Sequence, residues 1–199
     1  AAGDRRVRPL RLYLRSRRVP VALATTVTTV AGLAWLNRVT DHTPALPLLA
    51  VLVGAALTGP GLAGDDIELD RTAAWRWPLW RTVHIGAAGV AVVAVVTAPA
   101  VVGASVAPLG QVLRDAVGLV GLVALTAATL GAQHAWIPPV TWSLLALTVL
   151  PRLWPPGEPT LSERVLTWMV QPAGPAPTTT AVTLGVVGAI AYAARGPRR

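Results

Sequence analysis

The stretch Arg5–Leu36 reads RRVRPLRLYLRSRRVPVALATTVTTVAGLAWL: seven arginines in fourteen residues, then eighteen residues without a charge. A run of that length approaches the ~20 residues that cross ~30 Å of hydrocarbon. A basic flank placed directly before it fixes its start on the cytoplasmic side. Working outward from this first stretch, Val19–Leu36, five more apolar stretches follow. They are Pro44–Ala63, Val83–Val102, Leu109–Leu130, Ala135–Leu153 and Thr178–Ala194. Threaded from an inside N-terminus, they leave thirteen of the seventeen arginines on the inner side: the seven above, Arg71, Arg76, Arg81, Arg195, Arg198 and Arg199. Only Arg38, Arg114, Arg152 and Arg164 fall at or near the outer face. The reverse threading would invert that asymmetry. The expectation is an all-α polytopic membrane protein with six transmembrane helices, both termini cytoplasmic, in a bacterial inner membrane.

Composition agrees with that reading. The 199 residues are 53 % hydrophobic, with a mean hydropathy of +0.56, which suits one membrane domain over 19–199 and no sizeable soluble one. The net charge of +8 would suggest nucleic acid in a soluble protein. Here the arginines border spans, where they orient the chain and attract anionic membrane lipids, so no nucleic-acid partner is expected. Lysine, phenylalanine and cysteine are absent, and alanine, valine, arginine, glycine and proline dominate, as in the coding bias of a GC-rich bacterium. Without cysteine there are no disulfides or thiolate metal sites.

The pieces between spans carry their own signals. Residues 1–18 form a cytoplasmic interfacial helix: Pro9 suits a first turn, and Leu10, Tyr13 and Leu14 share a face opposite an arginine stripe. The cluster Thr58-Gly59-Pro60-Gly61 should unwind or kink span two near the inner face. In the cytoplasmic segment 64–82, Asp65 and Glu68 have the form of a capping box. Asp66, Glu68 and Asp70 place negative charge on that helix's first turn, and Arg71 and Arg76 follow. Trp75, Trp77 and Trp80 suit the headgroup level before span three, whose small residues allow close helix contact.

Span four carries Arg114 and Asp115 inside the hydrocarbon region. Adjacent helical residues do not face each other, so no simple pair is expected; Arg114 should snorkel to the outer surface, the alternative being a packing or transport role. Pro138-Pro139 should make the entry to span five bent or irregular. In the outer segment 155–177, a Thr160/Glu163 capping box opens a helix over Thr160–Val170, with Leu161, Val165, Trp168 and Met169 on one face.

Several chemistries are excluded or disfavoured. A P-loop requires a lysine that this chain lacks, so any ATP-driven work depends on another polypeptide. His42, His84 and His134 lie apart and outside any H-E-x-x-H pattern, so no metal and no catalytic centre is expected. The cluster Asp65-Asp66-Ile67-Glu68-Leu69-Asp70 could hold a magnesium diphosphate, but no second acidic cluster faces it. A capped, solvated helix start is the stronger account.

An amphipathic inner helix, six spans, a charged inner helix after span two and an outer helix before span six together resemble the permease of a type-2 ABC exporter. Stretches such as Asp66–Ala74, Gly131–Pro139 and Arg195–Arg199 are similar to small actinobacterial ABC permease-like membrane proteins. The resemblance implies that helix 65–76 couples to a cytoplasmic ATP-binding subunit through Asp65, Asp66, Glu68, Asp70, Arg71 and Arg76. It also implies that Leu161, Val165, Trp168 and Met169 belong to an outer gate element. A second permease copy or a different permease would complete the path, and ATP and magnesium would bind the partner, with no cofactor on this chain. The alternative is a non-transporting scaffold or regulatory subunit of a larger membrane complex.

Overall fold

The computed structural model describes residues 19–40, 45–62, 77–104, 107–149 and 160–198, and every regular element among them is helical. These are α1 (Val19–Val39), α2 (Ala45–Leu62), α3 (Trp77–Thr97), α4 (Leu109–Thr129), α5 (Ile137–Val149), α6 (Leu161–Leu166) and α7 (Pro175–Arg195). Short 3-10 turns, Ala98–Val102 and Ala132–His134, follow α3 and α4. The interfacial helix expected over 1–18 and the coupling helix expected over 65–76 lie outside the described residues.

Five helices, α1, α2, α3 (with its 3-10 extension), α4 and α7, are long and apolar enough to cross a bilayer. The stretch expected as the fifth span is different. Its described helix, α5, has 13 residues, or about 20 Å, short of the ~30 Å hydrocarbon thickness.

Contacts at the helix ends fix their directions. Arg38 Nη2 donates to the Val102 carbonyl at 2.9 Å, joining the end of α1 to the end of α3. At the opposite end of the bundle the Tyr192 hydroxyl donates to the Leu62 carbonyl, Arg81 Nη1 donates to the Ala193 carbonyl at 3.4 Å, and the Arg198 N–H donates to the Ala127 carbonyl at 3.0 Å. Hence α1 and α3 run one way and α2, α4 and α7 run the other. The chain between the parallel helices α4 and α7 must return along the bundle, and α5 makes that journey. It leaves the α4 terminus beside Gly59 and reaches α6, where Trp142 Nε1 donates to the Leu166 carbonyl at 2.8 Å. We call the end holding Arg81 and Arg198 the basic end.

The core is built on α4, which buries Val112, Ala116, Leu119, Val120, Val123, Ala124, Ala127 and Ala128. Helices α7, α2 and α3 pack on it, and α1 packs on α2 and α3. α1, α3 and α7 turn large apolar side chains outward, among them Val27, Val90, Val186 and Ile190. That suits a lipid-facing rim, since lipid tails are as apolar as the side chains they meet.

Of the two breaker expectations, the unwinding of span two gives way to packing. α2 continues through Gly59-Pro60-Gly61 to Leu62. A single lost donor in the last turn is tolerated there, because Gly59 lies against Ala135 and Val123. The entry to the fifth stretch is irregular as expected: a 3-10 turn, Ala132–His134, and two turn residues precede α5, whose first turn holds Pro138 and Pro139 where a missing N–H has no intrahelical partner to lose. The threonines of α1 turn inward on their own helix: Thr25 and Thr26 donate to the Val21 and Ala22 carbonyls at 2.9 and 2.8 Å.

Candidate functional site

Opposite the basic end, Arg114 joins the central helix to the segment before α7. α6 begins with the expected capping box: the Thr160 N–H donates to Glu163 Oε2 at 2.7 Å, and the Glu163 N–H donates to Thr160 Oγ1 at 3.4 Å. The helix then stops at Leu166, and the chain turns into the bundle. The carbonyls left open by that stop find partners. Gln171 Nε2 donates to the Arg164 carbonyl at 2.9 Å and to Thr167 Oγ1 at 2.7 Å, and Thr167 Oγ1 donates to the Glu163 carbonyl at 2.7 Å.

Because the helix is only six residues long, the four residues expected on one face separate. Trp168 and Met169 are fully buried, while Leu161 is 78 % and Val165 38 % exposed. Trp168 fills a notch over Gly118, where any added methyl group would collide with its ring. Ser143 Oγ donates to Met169 Sδ at 3.3 Å from α5.

Arg114 closes this arrangement. Its Nε donates to Asp115 Oδ1 at 2.8 Å, its Nη1 to the carbonyls of Gln171 at 2.8 Å and Pro172 at 3.4 Å, and its Nη2 to the Met169 carbonyl at 3.2 Å. For this residue the packing alternative holds, while the snorkelling and the absence of a simple pair are corrected. It is buried rather than snorkelling, and it pairs with its neighbour. The spacing rule concerns the directions in which Cβ atoms point. The long arginine stem lets Nε turn back to the short aspartate while the rest of the guanidinium reaches across to the turn. A buried guanidinium is tolerated only when its charge and its donors are both met, and this clamp meets them with one carboxylate and three carbonyls.

Asp115 Oδ2 and Trp168 Nε1 are buried without a hydrogen-bond partner among the described residues. Arginine holds its proton in proteins, and the nearby hydroxyl of Ser143 is engaged by a thioether. The arrangement is suited to holding a segment in place.

The structure thus brings together two of the three candidate sets, Arg114 with Asp115 and Trp168 with Met169, and leaves Leu161 and Val165 on the surface. The third set, Asp65, Asp66, Glu68, Asp70, Arg71 and Arg76, lies outside the described residues. Sequence reasoning missed Gln171, Trp142 and four glycines. Gly118 accommodates Trp168; Gly121, Gly185 and Gly188 bring α4 and α7 into backbone contact. The signal was present as two Gly-x-x-Gly spacings, Gly118/Gly121 and Gly185/Gly188. Among the described residues no three metal-ligating side chains converge. Compared with known proteins, the chain matches no family model, no curated protein and no solved structure.

Proposed function

We propose that this chain is a membrane-embedded permease subunit of an ABC-type exporter, crossing a bacterial inner membrane six times with its basic end inside. In this reading α5 and the segment after it complete the fifth crossing. The observation that carries the proposal is the clamp. The turn after α6, residues 167–169, is drawn into the bundle and held there by Arg114, while α6 itself stays at the surface. That is the place and the connectivity at which the resembling exporters carry their outer gate. The alternating directions of α1 to α4 and of α7 support the same threading.

The chain supplies no lysine for a P-loop, so a separate ATP-binding subunit with its magnesium would drive the cycle. Asp65–Arg76 would dock on that subunit, its acids and arginines setting register by charge complementarity more than affinity. A second permease, identical or different, would complete the path. The scaffold reading draws on one observation: α4, α7 and the clamp form a closely packed unit.

Affinity purification of the tagged protein from membranes decides between them. The transport reading expects an ATPase to co-purify, and Glu68→Arg combined with Arg71→Glu to abolish that association while the protein remains inserted. An intact complex with full ATPase stimulation in the double variant would remove 65–76 as the coupling element and favour the scaffold.

A further inference from the structure

Helices α3, α4 and α7 enclose an open groove of about 520 Å³ whose lining is entirely apolar. Ala116 and Val120 of α4 form its buried floor, with Gly86 and Gly89 of α3 on one wall and Val182 and Val186 of α7 on the other. A methyl group added at Gly86 or Gly89 would meet nothing within 4 Å, so the α3 wall is open. Along α3 the groove runs from Ile85 to Ala94, about 14 Å at ~1.5 Å per residue. A transmembrane helix would need a face matching the ~30 Å hydrocarbon core, whereas one acyl chain occupies one leaflet, about half of that. The length selects an acyl chain.

Beyond the Ile85 end of the groove, toward the basic end, stand two arginines. Arg81 lies one turn before Ile85 on the same face of α3, and its guanidinium rests against Gly196 while donating to the Ala193 carbonyl. Arg198, just beyond α7, donates from Nη1 to the Thr129 carbonyl at 3.3 Å, at the end of α4. Each helix that walls or floors the groove therefore meets one of these two guanidinium groups at the same end. The described carboxylates, Asp115 and Glu163, lie at the opposite end with the clamp. Arg81 and Arg198 have backbone carbonyls as partners, so their charge is met by no described acid.

From this joining of a leaflet-length apolar trough to a pair of arginines, we infer that the groove binds one anionic phospholipid. Its phosphate lies between Arg81 and Arg198, and one acyl chain runs along α3, α4 and α7. Guanidinium groups suit phosphate oxygens by charge and fork geometry, and anionic lipid is drawn to basic residues at the membrane surface. This site is independent of the transport reading.

The test is native mass spectrometry of the full chain in neutral detergent, titrated with dioleoyl phosphatidylglycerol or dioleoyl phosphatidylcholine. The acyl chains are identical, so only the headgroup differs. One phosphatidylglycerol should be retained about thirtyfold more tightly, at roughly fivefold per arginine. Combining Arg81→Gln with Arg198→Gln should reduce it to the phosphatidylcholine level. If that double variant does not fold, the exposed Arg198→Gln alone should lose about fivefold. Gly89→Leu, which fills the trough, should weaken both lipids by a common factor. Equal retention of the two lipids by the unaltered protein would overturn the site, as would an arginine variant that keeps the full preference. Undiminished binding by Gly89→Leu would place the acyl chain elsewhere and overturn it equally.

Discussion

Gly121 and Gly188 sit between α4 and α7 with no room for a single carbon, whereas Gly86 and Gly89 on α3 face open space. The residue is the same and the spacing along each helix is the same. The difference lies in what stands opposite. Between helices in lipid there is no hydrophobic driving force, so association rests on close packing and hydrogen bonds. A glycine gives backbone contact between two helices where the facing helix also lacks a side chain, as Gly188 meets the Gly121 carbonyl. Without such a partner it leaves a trough. The two ends differ in a parallel way. At the clamp, Arg114 is met by a carboxylate and by carbonyls of the segment it holds; at the basic end, Arg81 and Arg198 meet only carbonyls among the described residues.

The contrast can be broken most forcefully at the clamp. Arg114→Gln leaves Asp115 as an unpaired buried carboxylate and frees three carbonyls, and should cost about 3–5 kcal/mol. Denaturant titration of the protein in lipid bicelles would read this, together with a lower yield of inserted protein. Adding Asp115→Asn should recover part of the loss, because the stranded charge disappears with it. Normal stability in Arg114→Gln would show that the clamp contributes nothing.

Gly188→Leu comes next. It forces α4 and α7 apart against backbone that cannot yield, and should reach or exceed the upper end of the ~1–3 kcal/mol typical of overpacking. The smallest effect belongs to Gly89→Ala, which meets no neighbour and exchanges a poor helix former for the best. It should be neutral or stabilising by up to about 1 kcal/mol. Similar losses in Gly188→Leu and Gly89→Ala, measured by the same titration, would erase the distinction between the closed and open faces.

Features governed by near neighbours in sequence were the legible ones. The apolar runs became α1 to α4 and α7 within a few residues, and the Thr160/Glu163 box was visible because capping links residues three apart. What depended on distant residues was not. Arg114 is matched to carbonyls more than fifty residues away, so its depth in a span read as a cost to be relieved by snorkelling. Span three was the stretch expected to pack closely through small residues, yet Gly86 and Gly89 are open and the tight contacts lie between α4 and α7. Pro60 carried a valid local rule whose consequence its position in the last turn removed, whereas the irregular entry expected at Pro138-Pro139 is present before α5. The gate residues were grouped by helical periodicity, which no longer applies once α6 ends at Leu166 and Trp168 turns inward.

The transport reading of the two ends rests on which side of the membrane each faces, and on whether α5 and its continuation complete a crossing. The chain has no cysteine, so single cysteines can report accessibility without a background. In intact cells, Asp41→Cys after α1 and Glu158→Cys before α6 should react with a membrane-impermeant thiol reagent. Asp66→Cys, between α2 and α3, should react only after permeabilisation. Labelling of Asp66→Cys from outside would reverse the orientation. Protection of Glu158→Cys alongside a reactive Asp41→Cys would show that the chain after α4 never reaches the outer face, which contradicts the six-crossing account.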